Sequence, residues 1–220
     1  TNASVIKDIT EVIAEAAPKA IVGVITNPIN SVIPIAAEVM KKAGVFDPKK
    51  LMGITTLDVI RARTFIGQAK FIDPIHINIP VVGGHTETTI VPLVSRITPP
   101  VDFSEEELEA IVTKIQGAGT EIVKTKGSSP TLSMAYAGAL FIDDLCRAMT
   151  GEPNIVHCAY VTSEVEEVNY LASPVLLGPD GVQKNLGVGK TSEFESTLLR
   201  EAIPIIRQHI EKGEDFVRKS

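Results

Sequence analysis

Three short stretches of this chain hold residue types able to do chemistry together. Val81-Val-Gly-Gly-His85 ends in a histidine after a glycine pair, Thr55-Thr-Leu-Asp-Val-Ile-Arg61 sets Asp58 and Arg61 three residues apart, and Asn27-Pro-Ile-Asn-Ser31 supplies amides. A histidine is the side chain whose proton affinity starts near neutral pH, so it serves as a general base without extreme tuning. A carboxylate on the far ring nitrogen fixes the tautomer and stabilises the imidazolium that forms. An arginine grips a carboxylate through two parallel hydrogen bonds. One base, one orienting carboxylate, one guanidinium and one amide suit the oxidation of a hydroxy acid, in which the hydroxyl proton leaves as hydride departs from the same carbon. Spacing alone does not secure this reading: a lone histidine is usually structural, and an i, i+3 Asp–Arg pair on a helix is usually a surface ion pair that contributes little.

Longer matches decide between those readings. NPINS at 27–31, TTLDVIRART at 55–64, IPVVGGH at 79–85, TLSMAYAGA at 131–139 and KGEDFV at 212–217 resemble the lactate/malate dehydrogenase superfamily, in its mitochondrial and related bacterial malate branch. The similarity runs from Thr1 to about Ser220. At the histidine the chain reads Gly-Gly-His-Thr, where the lactate branch typically reads Gly-Glu-His-Gly. The resemblance implies reversible oxidation of (S)-malate to oxaloacetate with NAD. It makes His85 the acid/base and Asp58 its orienting partner. Arg61 and Asn27 then bind substrate, and Asn2, Ile25, Asn27 and Met134 contact cofactor. It also implies a homodimer or dimer-based tetramer, with the helix around Leu57–Ala69 at or near the contact through Ile60, Thr64 and Gln68. Arg63 takes a structural or interface role. The expected location is intracellular: mitochondrial first, with a bacterial cytoplasm or a peroxisome-like organelle as alternatives.

The chain departs from the family in one respect. No G-x-G-x-x-G follows a strand, so the pyrophosphate-binding turn, the acidic residue for the ribose and the arginine-bearing mobile loop are all expected to precede Thr1. The 220 residues alone are accordingly expected to lack activity. The rival readings are a lactate-type 2-hydroxyacid dehydrogenase, separated by an arginine or a glutamine in that loop, and an inert fragment serving only as an interaction module. Gly187-Val-Gly-Lys-Thr191 imitates the end of a P-loop, but Lys184 stands where the pattern requires glycine. No G-x-S-x-G is present, which removes the hydrolase reading that motif would support.

Composition agrees with an ordinary globular chain: 44% hydrophobic and 22% charged residues exclude a disordered one. A net charge of −6 with scattered basic residues argues against nucleic acid as partner. No apolar run reaches membrane-spanning length, so no membrane partner is expected. Two cysteines, Cys146 and Cys158, give no disulfide framework and no metal spacing, and both read as reduced interior residues. His76, His157 and His209 read as structural, and no metal site is expected.

The elements that must position the site follow from periodicity. A helix from about Ala3 to Ala17 precedes an apolar strand at 20–26, read as buried on both faces of a parallel sheet. A helix from about Val32 to Lys42 ends at Gly44, and Leu51–Thr55 forms the next strand. This alternation is the closing half of a doubly wound α/β (Rossmann) sheet, and Asn27 falls just past a strand's carboxyl end, where such sheets hold ligands. From residue 57 the pattern becomes α+β, so 1–56 is assigned to the dinucleotide-binding domain and 57–220 to the catalytic domain. The second part contains the Leu57–Ala69 helix and an alternating strand from Ile75 to Val81. A helix capped by Ser104 and Glu107 follows, interrupted near Gly117 and Gly119. The next helix is capped by Ser129-Pro130, with Leu132, Ala135, Ala139, Ile142, Cys146 and Met149 as its apolar stripe. A meander of strands comes near 155–162, 174–178 and 181–186. The last helix is capped by Ser192 and Glu195 and kinked by Pro204.

Overall fold

A computed structural model describes residues 1–165 and 167–219, with the side chain of Lys126 also outside the description. Helix α1 (Asn2–Ala16) leads into strand β1 (Val22–Val24), helix α2 (Ile29–Lys42) and strand β2 (Leu51–Ile54). Helix α3 (Thr56–Lys70), strand β3 (Val81–Gly83), a 3-10 turn at Glu87–Thr89 and strand β4 (Ile90–Pro92) follow. Helices α4 (Glu105–Lys126) and α5 (Thr131–Met149) precede strands β5 (Val156–Thr162), β6 (Tyr170–Gly178) and β7 (Gly181–Asn185). The long helix α6 (Glu193–Arg218) closes the chain.

One sheet joins the parts before and after residue 56. Its order is β1-β2-β5-β6-β3-β4, with β7 also paired to β6. β1 and β2 are parallel, as the helix–strand alternation requires, and every other pairing is antiparallel. Helix α2 is buried along nearly its whole length, because α1 and α6 pack on it while its inner side meets β2. A second apolar cluster lies between α3, α4 and β3–β4 (Ala62, Ile66, Val81, Ile90, Ile115), and a third between α5 and the sheet (Phe141, Met52, Ala159, Val175). The capping boxes read at Ser104/Glu107 and Ser192/Glu195 are both formed.

Several expectations are corrected. Strand β1 is three residues long and not buried on both faces: Gly23 is exposed and Val22 only partly covered. Among the described residues it pairs with β2 alone. No strand spans 75–81. Pro74 starts a 3-10 turn, Pro80 has no N–H to offer a ladder, and ahead of β3 the backbone makes an isolated bridge from Asn78 to Thr98 and a bond from Leu93 N–H to the Pro80 carbonyl. His76 accordingly lies exposed at a turn. Helix α4 runs unbroken through Gly117 and Gly119 to Gly127, because Ile111, Val112, Ile115 and Ala118 bury its inner face and outweigh the glycines' low helix propensity. Helix α5 begins at Thr131 with no side-chain cap from Ser129, and its stripe is out of phase. Leu132, Ala135, Ala139, Ile142, Cys146 and Met149 are all exposed, while Ala137, Gly138, Phe141 and Ala148 face the sheet. The helix has two apolar faces, and the one with small residues makes the close approach. Cys146 is therefore a surface residue and only Cys158 is interior.

Strand β6 starts at Tyr170, ahead of the expected position, with Pro174 inside it. The Pro174 carbonyl accepts from Leu186, just beyond the end of β7. The donor missing from Pro174 would point to that same edge, so no bond to β5 is lost. Helix α6 continues through Pro204 without a break.

Candidate active site

The cleft opens where β1, α3, the turn after β3, α4 and α5 converge. Its volume is about 800 Å³, and Asn2, Ile25, Asn27, Asp58, Arg61, His85 and Met134 all line it. Residues far apart in sequence, picked out by type and motif, thus surround one space.

Each is held by its element. Asp58 sits in the first turn of α3, where the unpaired N–H groups and the helix dipole favour a negative charge. It is 1% exposed. Its Oδ2 lies 2.5 Å from His85 Nδ1. An ionised carboxylate only accepts, so the Nδ1 proton belongs to histidine and Nε2 keeps its lone pair. Arg61, one turn along α3, brings Nη1 to 3.7 Å from Asp58 Oδ1, an electrostatic contact outside hydrogen-bond range. Among the described residues Asp58 Oδ1 has no hydrogen-bond partner, and it is fully buried. Burial draws the Arg61 guanidinium below its ordinary pKa, and the Asp58 carboxylate opposes that shift. The guanidinium stays protonated, since its ordinary value lies far above physiological pH. A mostly buried cation short of hydrogen-bond partners is well suited to receive an anion.

The glycine pair before His85 admits other parts of the chain close to its backbone. A Cβ on Gly84 would lie 2.3 Å from Thr89 Oγ1 and 2.6 Å from Asn30 Nδ2. Gly83 has φ +89, and a Cβ there would strike the Thr89 carbonyl. Gly84 N–H donates to that carbonyl, and the Thr89 hydroxyl donates to the Thr86 carbonyl while accepting from Thr86 N–H. This closed turn carries the histidine.

Sequence reasoning passed over Asn30. It is 0% exposed, and its Oδ1 accepts the His85 backbone N–H at 2.8 Å. Its only signal in sequence is membership of the Asn-Pro-Ile-Asn-Ser stretch. Asn2 donates its side-chain amide to the Asn27 carbonyl at 2.8 Å, fastening α1 to the loop after β1. Met134 lies at the start of α5, with Ser129 Oγ 3.7 Å from its sulfur. Ile25 and Ala137 add apolar wall, and Gly138 leaves room for Ile25. Across the cleft, Thr120 of α4 donates to Glu87 beside His85.

The remaining histidines lie elsewhere. His157 Nε2 is 2.5 Å from Asp144 Oδ2 and meets Phe141 edge-on, tying α5 to β5. His209 of α6 contacts Asn30. Among the described residues, no group of three or more His, Cys, Asp or Glu is placed to hold a metal ion, and no helix is long and apolar enough to cross a membrane.

A parallel edge strand followed by an antiparallel sheet, with a His–Asp pair and an arginine at the junction, defines a class. The chain belongs to the lactate/malate dehydrogenase family. Residues 55–217 match the profile of the family's alpha/beta C-terminal domain, and residues 1–53 match that of its NAD binding domain. Among curated proteins it is 50% identical to the mitochondrial malate dehydrogenase of Homo sapiens over 220 residues, and 49% identical to that of Mus musculus. These alignments cover 99% of this chain but 65% of each relative, so the chain spans just under two thirds of their length. Solved structures share the fold at low identity. The malate dehydrogenase of Aeropyrum pernix superposes with TM-score 0.83 at 21% identity, over 96% of this chain and 68% of that one. The Plasmodium falciparum malate dehydrogenase in complex with NADH gives 0.81 at 20%, over 99% and 73%.

Proposed function

We propose that the protein to which these residues belong is an NAD-dependent malate dehydrogenase, interconverting (S)-malate and oxaloacetate. The observation that carries this reading is the 2.5 Å contact of His85 Nδ1 with the buried Asp58 carboxylate, in a cleft shared with Arg61. The relatives near 50% identity are malate dehydrogenases by name, which favours malate over lactate as substrate.

The residues present fit the nicotinamide end of NAD. Ile25, Ala137 and Met134 give an apolar wall, Asn2 and Asn27 give amides, and the cleft is roomy enough for a ring and a small acid. Held by Ile25, Ala137 and Met134, the nicotinamide would supply a hydride acceptor for malate oxidation. His85 Nε2 accepts the C2 hydroxyl proton, so the carbon loses two electrons and one hydrogen as hydride, and the oxygen loses a proton. Asp58 holds the ring in the tautomer that leaves Nε2 free, and it offsets the imidazolium charge once the proton arrives. Arg61 receives the substrate carboxylate, with Asn27 as a second hydrogen-bonding group. In the reverse direction His85 returns the proton to the carbonyl oxygen of oxaloacetate.

The partner proposed is a second copy, giving a homodimer or a dimer-based tetramer. On α3, Gln68 is exposed and Ile60 and Thr64 are partly so, on a side other than the one carrying Asp58. Sedimentation of the enzyme as a monomer at micromolar concentration would contradict this. The location proposed is mitochondrial, in line with the names of the relatives. The test of function is the NADH-dependent rate with oxaloacetate against that with pyruvate, using protein expressed from its whole gene. A higher kcat/KM for oxaloacetate is expected; preference for pyruvate would make it a lactate-type enzyme, and no turnover of either would leave the inert reading.

A further inference from the structure

We propose that Asn30 and His209 are positioning residues for His85, and that a proton on His209 loosens the hold on the His85 turn. This rests on the reading of His85 as acid/base, but the linkage itself is visible without turnover.

The argument starts from what a buried amide requires. Asn30, at the start of α2, is fully buried, so each polar atom needs a partner. Its Oδ1 accepts the His85 backbone N–H at 2.8 Å. That contact fixes which end of the amide is oxygen. Nδ2 must then serve its other two neighbours as a donor: Thr89 Oγ1 at 3.3 Å and His209 Nδ1 at 3.2 Å. His209 Nδ1 therefore accepts, which it does only when it carries no proton. Protonated imidazole has donors on both nitrogens and nothing to offer Nδ2. Asn30 would then face an N–H on His209 while still bound to the His85 turn, and the contact would turn from attractive to repulsive.

The surroundings of His209 agree with a ring kept neutral. Burial lowers its pKa, and Lys212, one turn along α6, lowers it further. Helix α2 has no charged residue before Glu38, strands β3 and β4 have none, and the nearby 3-10 turn offers only Glu87, which accepts from Thr120. Helix α1 carries Lys7, Asp8, Glu11 and Glu15, and Lys7 is paired with Glu11. With a folded pKa below the unfolded one, the unfolded chain binds the proton more readily. Stability linked to His209 is thus fully present above the unfolded value of about 6.5, and it is lost as pH falls from there through the folded value.

The test is nitrogen-15 NMR, across pH, of the protein expressed from its whole gene, with His209→Gln and His209→Arg beside the wild type. Glutamine still offers Asn30 an acceptor but cannot titrate, whereas arginine is a permanent donor. At neutral pH, His209 Nδ1 should resonate as an unprotonated ring nitrogen. On acidification, the Asn30 side-chain amide and the His85 backbone amide should shift with the His209 midpoint. His209→Gln should abolish that step and keep the high-pH position, and His209→Arg should hold the low-pH position throughout. In the active enzyme, His209→Arg should lower kcat roughly two- to tenfold, the scale of one neutral hydrogen bond, with the KM for NADH unchanged. A protonated Nδ1 at neutral pH, or a step that survives in His209→Gln, would overturn the proposal. If turnover were never found but the step behaved as stated, the functional reading would fail and the linkage would stand.

Discussion

At the scale of single residues, the site sets the Arg61 guanidinium near Asp58, whose carboxylate also contacts the His85 ring. Arg61 has a distinct expected signature. Arg61→Gln keeps a hydrogen-bonding side chain but loses the charge and the two-pronged grip, so kcat/KM for the dicarboxylate should fall roughly a hundredfold or more. NADH affinity should stay nearly constant; an equal fall in NADH binding would make Arg61 structural. The two cysteines separate by environment in the same way. Burial pushes the Cys158 thiol up to about 11, while Cys146 lies on the exposed side of α5. Since the thiolate is the reactive form, iodoacetamide at pH 8 should leave a single adduct on the native chain, at Cys146. Two adducts without denaturant would show that the β5 interior opens. His85, Asp58 and Arg61 stood out in sequence through the longer matches around them, since their types and spacing alone favour structural roles. Asn30 did not: its importance comes from burial and from bonds to residues 55 and 179 positions away, and no local pattern records such distances.

At the scale of elements, the close crossing of α2 and α6 sets where Asn30 stands. A Cβ on Gly213 would lie 2.3 Å from the Ser31 carbonyl, so the two helices meet backbone to backbone with no room for a methyl group. Gly213→Ala should destabilise the fold by about 1–3 kcal/mol, the usual cost of overpacking, read as a lower urea midpoint. An unchanged midpoint would mean that the crossing adjusts freely. Elements whose ends carry their own chemistry were readable in advance, as the capping boxes at Ser104 and Ser192 and the end of α2 near Gly44 show. The failures share a cause. The phase of α5 was misjudged because both its faces are apolar, and the choice between them depends on which small residues meet the sheet. The segment 75–80 has alternating polarity but prolines at 74 and 80, and its backbone makes one isolated bridge before the β3 ladder begins at Val81. In each case tertiary contact outweighed local pattern.

At the scale of the whole molecule, one sheet joins a parallel β1–β2 edge to an antiparallel remainder, and the cleft lies along that junction. Side chains from α1, the loop after β1, α3, the turn after β3 and α5 meet there, so the site depends on the two parts holding their relative positions. The sequence showed the change of pattern near residue 56 but not the continuous sheet across it, since pairing of β2 with β5 joins residues more than a hundred positions apart. The central claim is that His85, oriented by Asp58, moves the proton while hydride is transferred. The most direct measurement is kcat for oxaloacetate reduction by NADH in His85→Asn against the wild type, expressed from the whole gene, with circular dichroism as the check on folding. Asparagine keeps a polar group of similar reach but cannot take up the proton. The account predicts a loss of ~10²–10⁴ in kcat with an unchanged spectrum. A variant that retains most of its kcat would contradict it.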